Sequence, residues 1–167
     1  MENLNIKEKL KEMLTMQKAL NEDILKEFGE DSMTEEKLKL AIIDELGELT
    51  HELKGEWCWW KKTQPPVNRQ RVLEELVDVY HFVMTWELTR KPYGVKNILS
   101  SCNFHIEMFG KGVSGRLSDF IGDVSFYAIK LAPLLELTEK LGFTFDEVYQ
   151  EYLNKNKINY ERLKNGY

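Results

Sequence analysis

Apolar side chains recur every three or four positions along most of the chain, and short breaks rich in Gly, Pro, Ser or Asn separate these stretches. This period is typical of amphipathic α-helices, and we find no convincing pair of strands. The pattern predicts a first helix from about Leu4 to Phe28, a second that continues to about Leu53, and a third from about Arg69 to Thr89. We therefore expect an all-α helical bundle of roughly six helices, with residues 1–167 forming a single domain.

Short polar patterns predict where several of these helices begin. Ser32 followed by Glu35 matches a capping box for the second helix, and Thr144 followed by Glu147 matches one for the last helix. Asn68 follows a loop with two consecutive prolines and is suited to cap the third helix. Such caps pair the first backbone N–H groups of a helix, which have no partner within the helix itself.

The middle of the chain is less regular and is punctuated by glycines. It predicts a further helix from about Leu117 to Leu141, in which Pro133 should cause a kink because proline lacks a backbone N–H group. The last helix should end before Gly166, since glycine is common at helix ends.

Composition excludes several classes of protein. The 167 residues carry a net charge of −5, without the basic surplus of a general nucleic-acid binder. No apolar run approaches the ~18 residues that a membrane span needs, and the charged N-terminal stretch lacks the apolar region of a secretory signal. The two cysteines, Cys58 and Cys102, form no CxxC pair. They are typical of reduced thiols, and we expect a cytoplasmic protein without membrane or nucleic-acid partners.

Acidic residues lie beside apolar positions on the second and third predicted helices. Glu45, Glu48 and Glu52 are spaced i, i+3 and i+7 and so share one face, where like charges repel each other. A solvated acidic face is the ordinary interpretation of these three. The third helix is apolar almost all round, so exposure of Glu75 and Asp78 is harder to arrange. A buried carboxylate normally becomes neutral, pairs with a cation or binds a metal.

Antiparallel packing of the two helices would bring the acids together. Glu45, Glu48, Glu75 and Asp78 would then form a metal site between neighbouring helices, which we call the carboxylate cage. Carboxylate oxygens without cysteine ligands suit Mg²⁺, or alternatively Mn²⁺, better than Zn²⁺.

The order of these motifs resembles a known family. E45-L-G-E48, E75-L-V-D78 and the continuation V79-Y80-H81-F82 are similar to the dimeric all-α dUTPases of the MazG-like nucleotide pyrophosphatase superfamily. The closing stretch, Y152-L-N-K155-N156-K157-I-N159-Y-E-R162-L-K-N-G166-Y167, resembles the final motif of that family. The similarity covers the first three helices and the last one, but not residues 91–142.

The resemblance implies an enzyme that hydrolyses dUTP, and also dUDP, to dUMP with release of pyrophosphate or phosphate. The carboxylate cage would hold Mg²⁺ against the phosphates, and the protein would be a homodimer. Glu48 is our candidate catalytic residue, which would orient the attacking water, with Glu52 or Glu74 as alternatives. Related enzymes of the superfamily prefer dCTP or act on several nucleotides, so a different base remains an alternative.

The resemblance also gives the basic end of the chain a role in substrate binding. Lys155, Asn159 and Arg162 share one helical face and would contact the phosphates. The alternative interpretation is a solvated helix end, where positive charges are favoured by the helix dipole.

Nucleoside contacts are expected from the first and third helices. Gln17 and Asn21 are spaced i, i+4 and resemble the amides with which the family recognises the base. His81 would lie near the sugar, and Trp60, from the run W57-C-W-W60, would form a wall of the base or sugar site. Exposed helix surface is the alternative for the amides, and packing is the alternative for the histidine and the tryptophan.

A different class of protein matches part of the same pattern. Glu48-x-x-His51 and Asp78-x-x-His81 imitate the paired Glu-x-x-His motifs of di-iron carboxylate bundles, which would indicate an oxidoreductase. One pair begins with Asp, and the two further glutamates have only Glu107 and Glu136 as candidates. A helical interaction module without catalysis is a third possibility, which the intact set of four acids disfavours.

Overall fold

Helices form all the regular structure of the described residues, which are 2–90, 94–102 and 112–166 of a computed structural model. A short 3₁₀ helix, Glu30–Ser32, lies between the first two α-helices. The helices are α1 Glu2–Phe28, α2 Glu35–Glu52, α3 Lys54–Trp57, α4 Arg69–Thr89, α5 Val95–Ser101, α6 Val113–Ser125, α7 Leu131–Lys140 and α8 Phe145–Asn165. The predicted all-α bundle is confirmed.

The centre of the bundle is α4, which packs against α1, α2, α7 and α8. More than half of its residues are buried, as its apolar character on all sides predicts. Its neighbours contribute further buried aliphatic side chains, among them Leu14 of α1 and Leu46 and Leu49 of α2. This position brings acidic residues of α4 beside those of α2, and polar residues of α4 beside those of α1 and α8.

Two of the three predicted caps are confirmed. The Asn68 side chain accepts hydrogen bonds from the backbone N–H groups of Gln70 and Arg71, at 3.1 and 3.2 Å. Thr144 and Glu147 form the reciprocal capping box at the start of α8. These caps fix the first turns of the two helices whose side chains meet in the candidate site.

The predicted capping box of α2 is wrong. Gly29, with a φ of 87°, turns the chain into the 3₁₀ helix that contains Ser32, and α2 begins only after it. The N-cap is Thr34, whose side chain accepts a hydrogen bond from the Lys37 backbone N–H at 3.4 Å. A local turn therefore moved the helix start two residues along the chain.

The middle of the chain forms two helices where one kinked helix was predicted. The chain leaves helical geometry between α6 and α7, and Tyr127 there has a φ of 58°. Pro133 causes no kink, because it is the third residue of α7, where its missing N–H has no helical partner to lose. In the described part of the chain, no helix has both the length and the apolar character to cross a membrane.

Candidate active site

Three of the four predicted cage acids meet between α2 and α4. Glu45, Glu48 and Glu75 each offer a carboxylate oxygen, and these oxygens all lie within 4.8 Å of one another. Glu75 is buried, Glu45 is partly buried and Glu48 is exposed, so the group opens to solvent on one side. Hard oxygen ligands at this separation fit a divalent cation such as Mg²⁺ or Mn²⁺.

The electrostatics of the carboxylate cage favour a bound cation. Burial, together with the negative charges of Asp78 and Glu48, raises the pKa of Glu45 to about 7. Burial and the charges of Glu48 and Asp78 also raise the pKa of Glu75. Without a cation, the cage therefore retains protons close to neutral pH, and a divalent cation would replace them.

Asp78, the fourth predicted ligand, is paired with the basic end of the chain. Its Oδ2 lies 2.6 Å from Lys155 Nζ of α8. Burial raises the pKa of Asp78, while the hydrogen bond and positive charge of Lys155 lower it. The structure thus places Lys155 beside the cage, on a carboxylate that was predicted to bind metal.

The alternative catalytic acids are engaged with other protein side chains. Arg71 Nη2 lies 3.5 Å from both Glu52 Oε1 and Glu75 Oε1 and bridges these two carboxylates. Glu74 accepts a hydrogen bond from the Gln70 side-chain amide at 3.1 Å. Glu48 lines an open cavity of about 840 Å³ beside the cage, where a water molecule could reach it.

A second polar group is buried where α1 meets α4. Gln17 Nε2 donates hydrogen bonds to Asn21 Oδ1 at 2.9 Å and to Thr85 Oγ1 at 3.1 Å. The Thr85 hydroxyl lies 3.1 Å from Asn21 Oδ1 and 2.9 Å from the His81 backbone oxygen. The two predicted base-binding amides therefore contact each other and are held by α4.

α8 completes this polar group. The Tyr152 hydroxyl donates to Gln17 Oε1 and to the Met13 backbone oxygen, each at 3.1 Å. His81 Nδ1 lies 2.7 Å from the same Gln17 oxygen, and the His81 ring stacks on Tyr152 with centroids 4.5 Å apart. Burial lowers the pKa of His81 to about 3, so the imidazole is neutral at physiological pH.

One cavity of about 340 Å³ joins the polar group to the carboxylate cage. Both predicted amides, two predicted metal ligands and two residues of the basic end line it together with His81. These residues are Gln17, Asn21, Glu45, Asp78, His81, Asn159 and Arg162. Its apolar walls include Leu20, Ile24 and Phe82, which gives the space the mixed character of a small-molecule site.

Comparison with known families agrees with this arrangement. The sequence model of the family described as dUTPase matches residues 9–167 of the chain. The chain belongs to the dUTPase family. The dUTPase is therefore a dUTP diphosphatase, a hydrolase of phosphoanhydride bonds. A search of curated proteins returned no significant match.

Trp60 is not brought to this cavity. Its side chain is 57% exposed, and its ring lies 5.6 Å from that of Trp57 and 5.8 Å from that of Trp59. In the described part of the dUTPase, the cavity that the two amides line does not include it. A contact between Trp60 and the substrate stays a prediction.

The geometry also bears on the di-iron alternative. Among the residues that the structure describes, the group of possible ligand atoms that lie within 4.8 Å of one another contains Glu45, Glu48 and Glu75, but neither His51 nor His81. Glu136 forms an ion pair with Arg116. Glu107 lies outside the described residues. Together with the family match, this arrangement favours dUTP hydrolysis over the activity of a di-iron oxidoreductase.

Sequence reasoning missed three residues of the site, which are Thr85, Tyr152 and Arg71. Thr85 follows Asp78 and His81 on one face of α4 at i+7 and i+4, and this spacing could have revealed it. Tyr152 opens the closing motif, but its partners lie far away in α1. Arg71 carries no local signal, since it resembles any exposed arginine of a first helical turn.

Proposed function

We propose that the dUTPase converts dUTP to dUMP and pyrophosphate with a divalent cation, Mg²⁺ or alternatively Mn²⁺, held by Glu45, Glu48, Glu75 and Asp78. The cavity that adjoins both the carboxylate cage and the buried amides carries this proposal, because a nucleotide needs a polar base site and a cation site at its two ends. The donor set fits such a cation, since burial and the neighbouring carboxylates raise the pKa of both Glu45 and Glu75.

The order of residues along α4 supports the orientation of the substrate. Asp78, His81 and Thr85 follow one another on one face, and Asp78 and Thr85 are ~10 Å apart along the helix axis. Phosphates at Asp78 would place the sugar near His81 and the base near Thr85. This is the order of the three parts in a nucleotide, and it places the base beside the buried polar group that contains Gln17 and Asn21.

The residues around the cage have distinct roles in hydrolysis. A bound divalent cation supplies neutralisation of phosphate charge and lowers the pKa of a bound water. Glu48, the exposed acid, orients the attacking water. Arg162 lines the cavity and Lys155 pairs with Asp78, which lines it too. Both would donate hydrogen bonds to phosphate oxygens, while Asn159 would add an amide contact.

Hydrolysis of dUDP is part of the proposal, because the cage need bind only the phosphates nearest the sugar. Relation to the MazG-like superfamily is part of it as well, and preference for dCTP is the alternative that follows from it. The two cysteines are buried and free, in accord with the cytoplasmic location that we propose.

We also propose that the dUTPase is a homodimer. Leu40 and Ile43 of α2 are 65% and 44% exposed, which is unusual for neighbouring large aliphatic side chains of one helix face. Both line the open cavity that contains Glu48 and Glu75. A second copy placed on this face would bury them and would adjoin the carboxylate cage.

Product analysis with a panel of nucleotides tests the proposed function. The purified protein is incubated with dUTP, dUDP, dCTP, dTTP or UTP in Mg²⁺, in Mn²⁺ or in excess chelator. Formation of dUMP and pyrophosphate from dUTP, abolished by chelation, is the expected result. A preference for dCTP would establish the alternative base, and failure to form any monophosphate with either metal would overturn the proposal.

A further inference from the structure

Gln17 has no hydrogen-bonding capacity left for a ligand. A glutamine side chain offers two N–H donors and two acceptor positions. Both donors of Gln17 are directed to Asn21 and Thr85, and its oxygen faces both the Tyr152 hydroxyl and His81 Nδ1. Gln17 therefore orients its neighbours and is not itself free to bind the base.

The bonds of Gln17 determine which side-chain atoms of Asn21 and His81 remain for other contacts. Asn21 accepts through Oδ1 from Gln17 and Thr85, which leaves its Nδ2 amino group for a ligand in the cavity that Asn21 lines. His81 must donate through Nδ1, because the Gln17 oxygen can only accept. The His81 Nε2 atom is then an acceptor, and it is buried without a partner among the described residues.

We propose that Tyr152 and Thr85 are positioning residues for base recognition, because they fix the Gln17 amide and thereby keep the Asn21 amino group available as a donor and His81 in the tautomer protonated at Nδ1. This inference rests on the proposed function. The Tyr152 hydroxyl donates to Gln17 Oε1, and the Thr85 hydroxyl accepts from Gln17 Nε2. Neither residue needs to touch the base for its orientation to matter.

The fixed orientation selects the chemistry of the ligand. Asn21 Nδ2 requires an acceptor, such as a ring carbonyl. Uracil has a carbonyl on each side of N3, whereas cytosine has an amino group on one side, which would set donor against donor. If Gln17 could turn over, Asn21 could turn as well and accept from that amino group. Discrimination between the bases would then decline.

Asn156 explains why the Tyr152 hydroxyl points in one direction. Its Nδ2 donates to the Tyr152 oxygen at 3.4 Å, which leaves the tyrosine proton for the Gln17 and Met13 oxygens. The stacked His81 ring also restricts rotation of the aromatic side chain. Side chains of α8 therefore fix the orientation of the polar group beside the cavity.

Tyr152→Phe tests the inference because it removes one hydroxyl and keeps the ring. Tyr80→Phe is the matched control, since Tyr80 is equally buried and its hydroxyl bonds Thr138 away from the cavity, at 2.8 Å. We expect Tyr152→Phe to lower the ratio of kcat/KM for dUTP to that for dCTP about tenfold, mainly through KM, and Tyr80→Phe to leave it unchanged.

The tautomer of His81 gives a readout that lost stability alone would not change. Nitrogen-15 NMR distinguishes protonated from unprotonated ring nitrogens, and loss of the signal in His81→Gln assigns it among the three histidines of the chain. We expect a protonated Nδ1 in the unmodified protein and in Tyr80→Phe, and a mixture of tautomers in Tyr152→Phe.

An unchanged base ratio together with an unchanged tautomer in Tyr152→Phe overturns the inference and leaves the proposed function intact. If Tyr152→Phe does not fold, Thr85→Val, which loosens the other end of Gln17, must show the same two changes. If the unmodified protein hydrolyses no nucleotide, the proposed function fails separately, and a His81 found protonated at Nε2 would overturn the inference as well.

Discussion

At the scale of single residues, Glu45 connects metal binding with pH. Its pKa is about 7 in the fold and 4.5 ordinarily, so between these values the folded state holds a proton that the unfolded state has lost. The contribution of Glu45 to the free energy of unfolding is therefore fully present below pH 4.5 and is lost as the pH rises through about 7. His81, with a pKa lowered to about 3, contributes stability above its ordinary pKa of 6.5 that is lost as the pH falls.

Comparison of the unmodified protein with Glu45→Gln separates these trends, since His81 is common to both. In chelator, we expect the Tm of the unmodified protein to decrease relative to that of Glu45→Gln as the pH rises from about 5 to about 8. Mg²⁺ should raise the Tm of the unmodified protein at the higher pH and that of the variant much less. Thermal scans measure both effects. A Tm difference that does not change with pH would contradict the assignment of the raised pKa to Glu45.

Glu48 should be essential for turnover but not for folding. Because Glu48 is exposed, Glu48→Gln should keep the helical fold. Loss of its charge should cost little stability, since it relieves repulsion with the neighbouring carboxylates. We expect kcat to fall at least tenfold, which corresponds to ~1.4 kcal/mol or more in the barrier. Glu22→Gln, on the exposed face of α1 where Glu22 pairs with Lys18, is the control. A Glu48→Gln variant that keeps more than a tenth of the activity would remove Glu48 from the catalytic group.

A residue's surroundings could be predicted from the sequence where its neighbours lie close along the chain. They could not be predicted where its partners lie far away. The burial of Glu75 was predictable because apolar neighbours within one helix already imply it. The bond between Gln17 and Tyr152 joins residues 135 positions apart. No local period specifies which buried hydroxyl meets which amide. The exposed Trp60 shows the converse, since an aromatic residue near the cage in sequence need not face it.

At the scale of elements, α8 connects the basic end of the chain with the carboxylate cage between α2 and α4. Lys155 pairs with Asp78, where it would compete with a bound cation. We expect Lys155→Met to raise the affinity for Mn²⁺ in the absence of nucleotide about three- to tenfold, and to raise KM for the nucleotide. Electron paramagnetic resonance of free Mn²⁺ measures the first effect, at a pH near 8 so that Asp78 stays ionised.

Lys157→Met controls for the general loss of a positive charge from α8. Lys157 is 80% exposed and pairs with Glu161 at 4.0 Å. If Lys157→Met raises the Mn²⁺ affinity as much as Lys155→Met does, the effect is long-range electrostatics and competition at Asp78 is absent.

The helices themselves were predictable where caps and period agreed, as for α4 between Asn68 and Arg90. They were not predictable where two periodic stretches adjoin without a proline or a strong cap between them. The separation of α6 from α7 depends on a tyrosine with positive φ, which sequence rules assign to glycine or asparagine. Packing of α6 and α7 against each other stabilises that turn.

At the scale of the whole molecule, assembly should depend on the exposed face of α2. Ile43→Glu places a charge where a second copy would bury an aliphatic side chain, and we expect the dimer to dissociate into monomers at micromolar concentration. Ile158→Glu, at a similarly exposed position of α8 (42%), is the control and should stay dimeric. Analytical ultracentrifugation measures both. A monomeric unmodified protein, or equal behaviour of the two variants, would contradict the homodimer.

The continuity of α4 determines how base preference can evolve. A helix keeps a fixed rotation per residue, so one residue inserted between Asp78 and Thr85 would turn everything beyond it by ~100° away from the cavity. Substitutions at Asn21 or Thr85, by contrast, alter no backbone and leave the acids in place. We therefore expect new base preferences to arise by exchange of side chains in an α4 of constant length. Proteins that descend from this one would then keep the carboxylate cage unchanged.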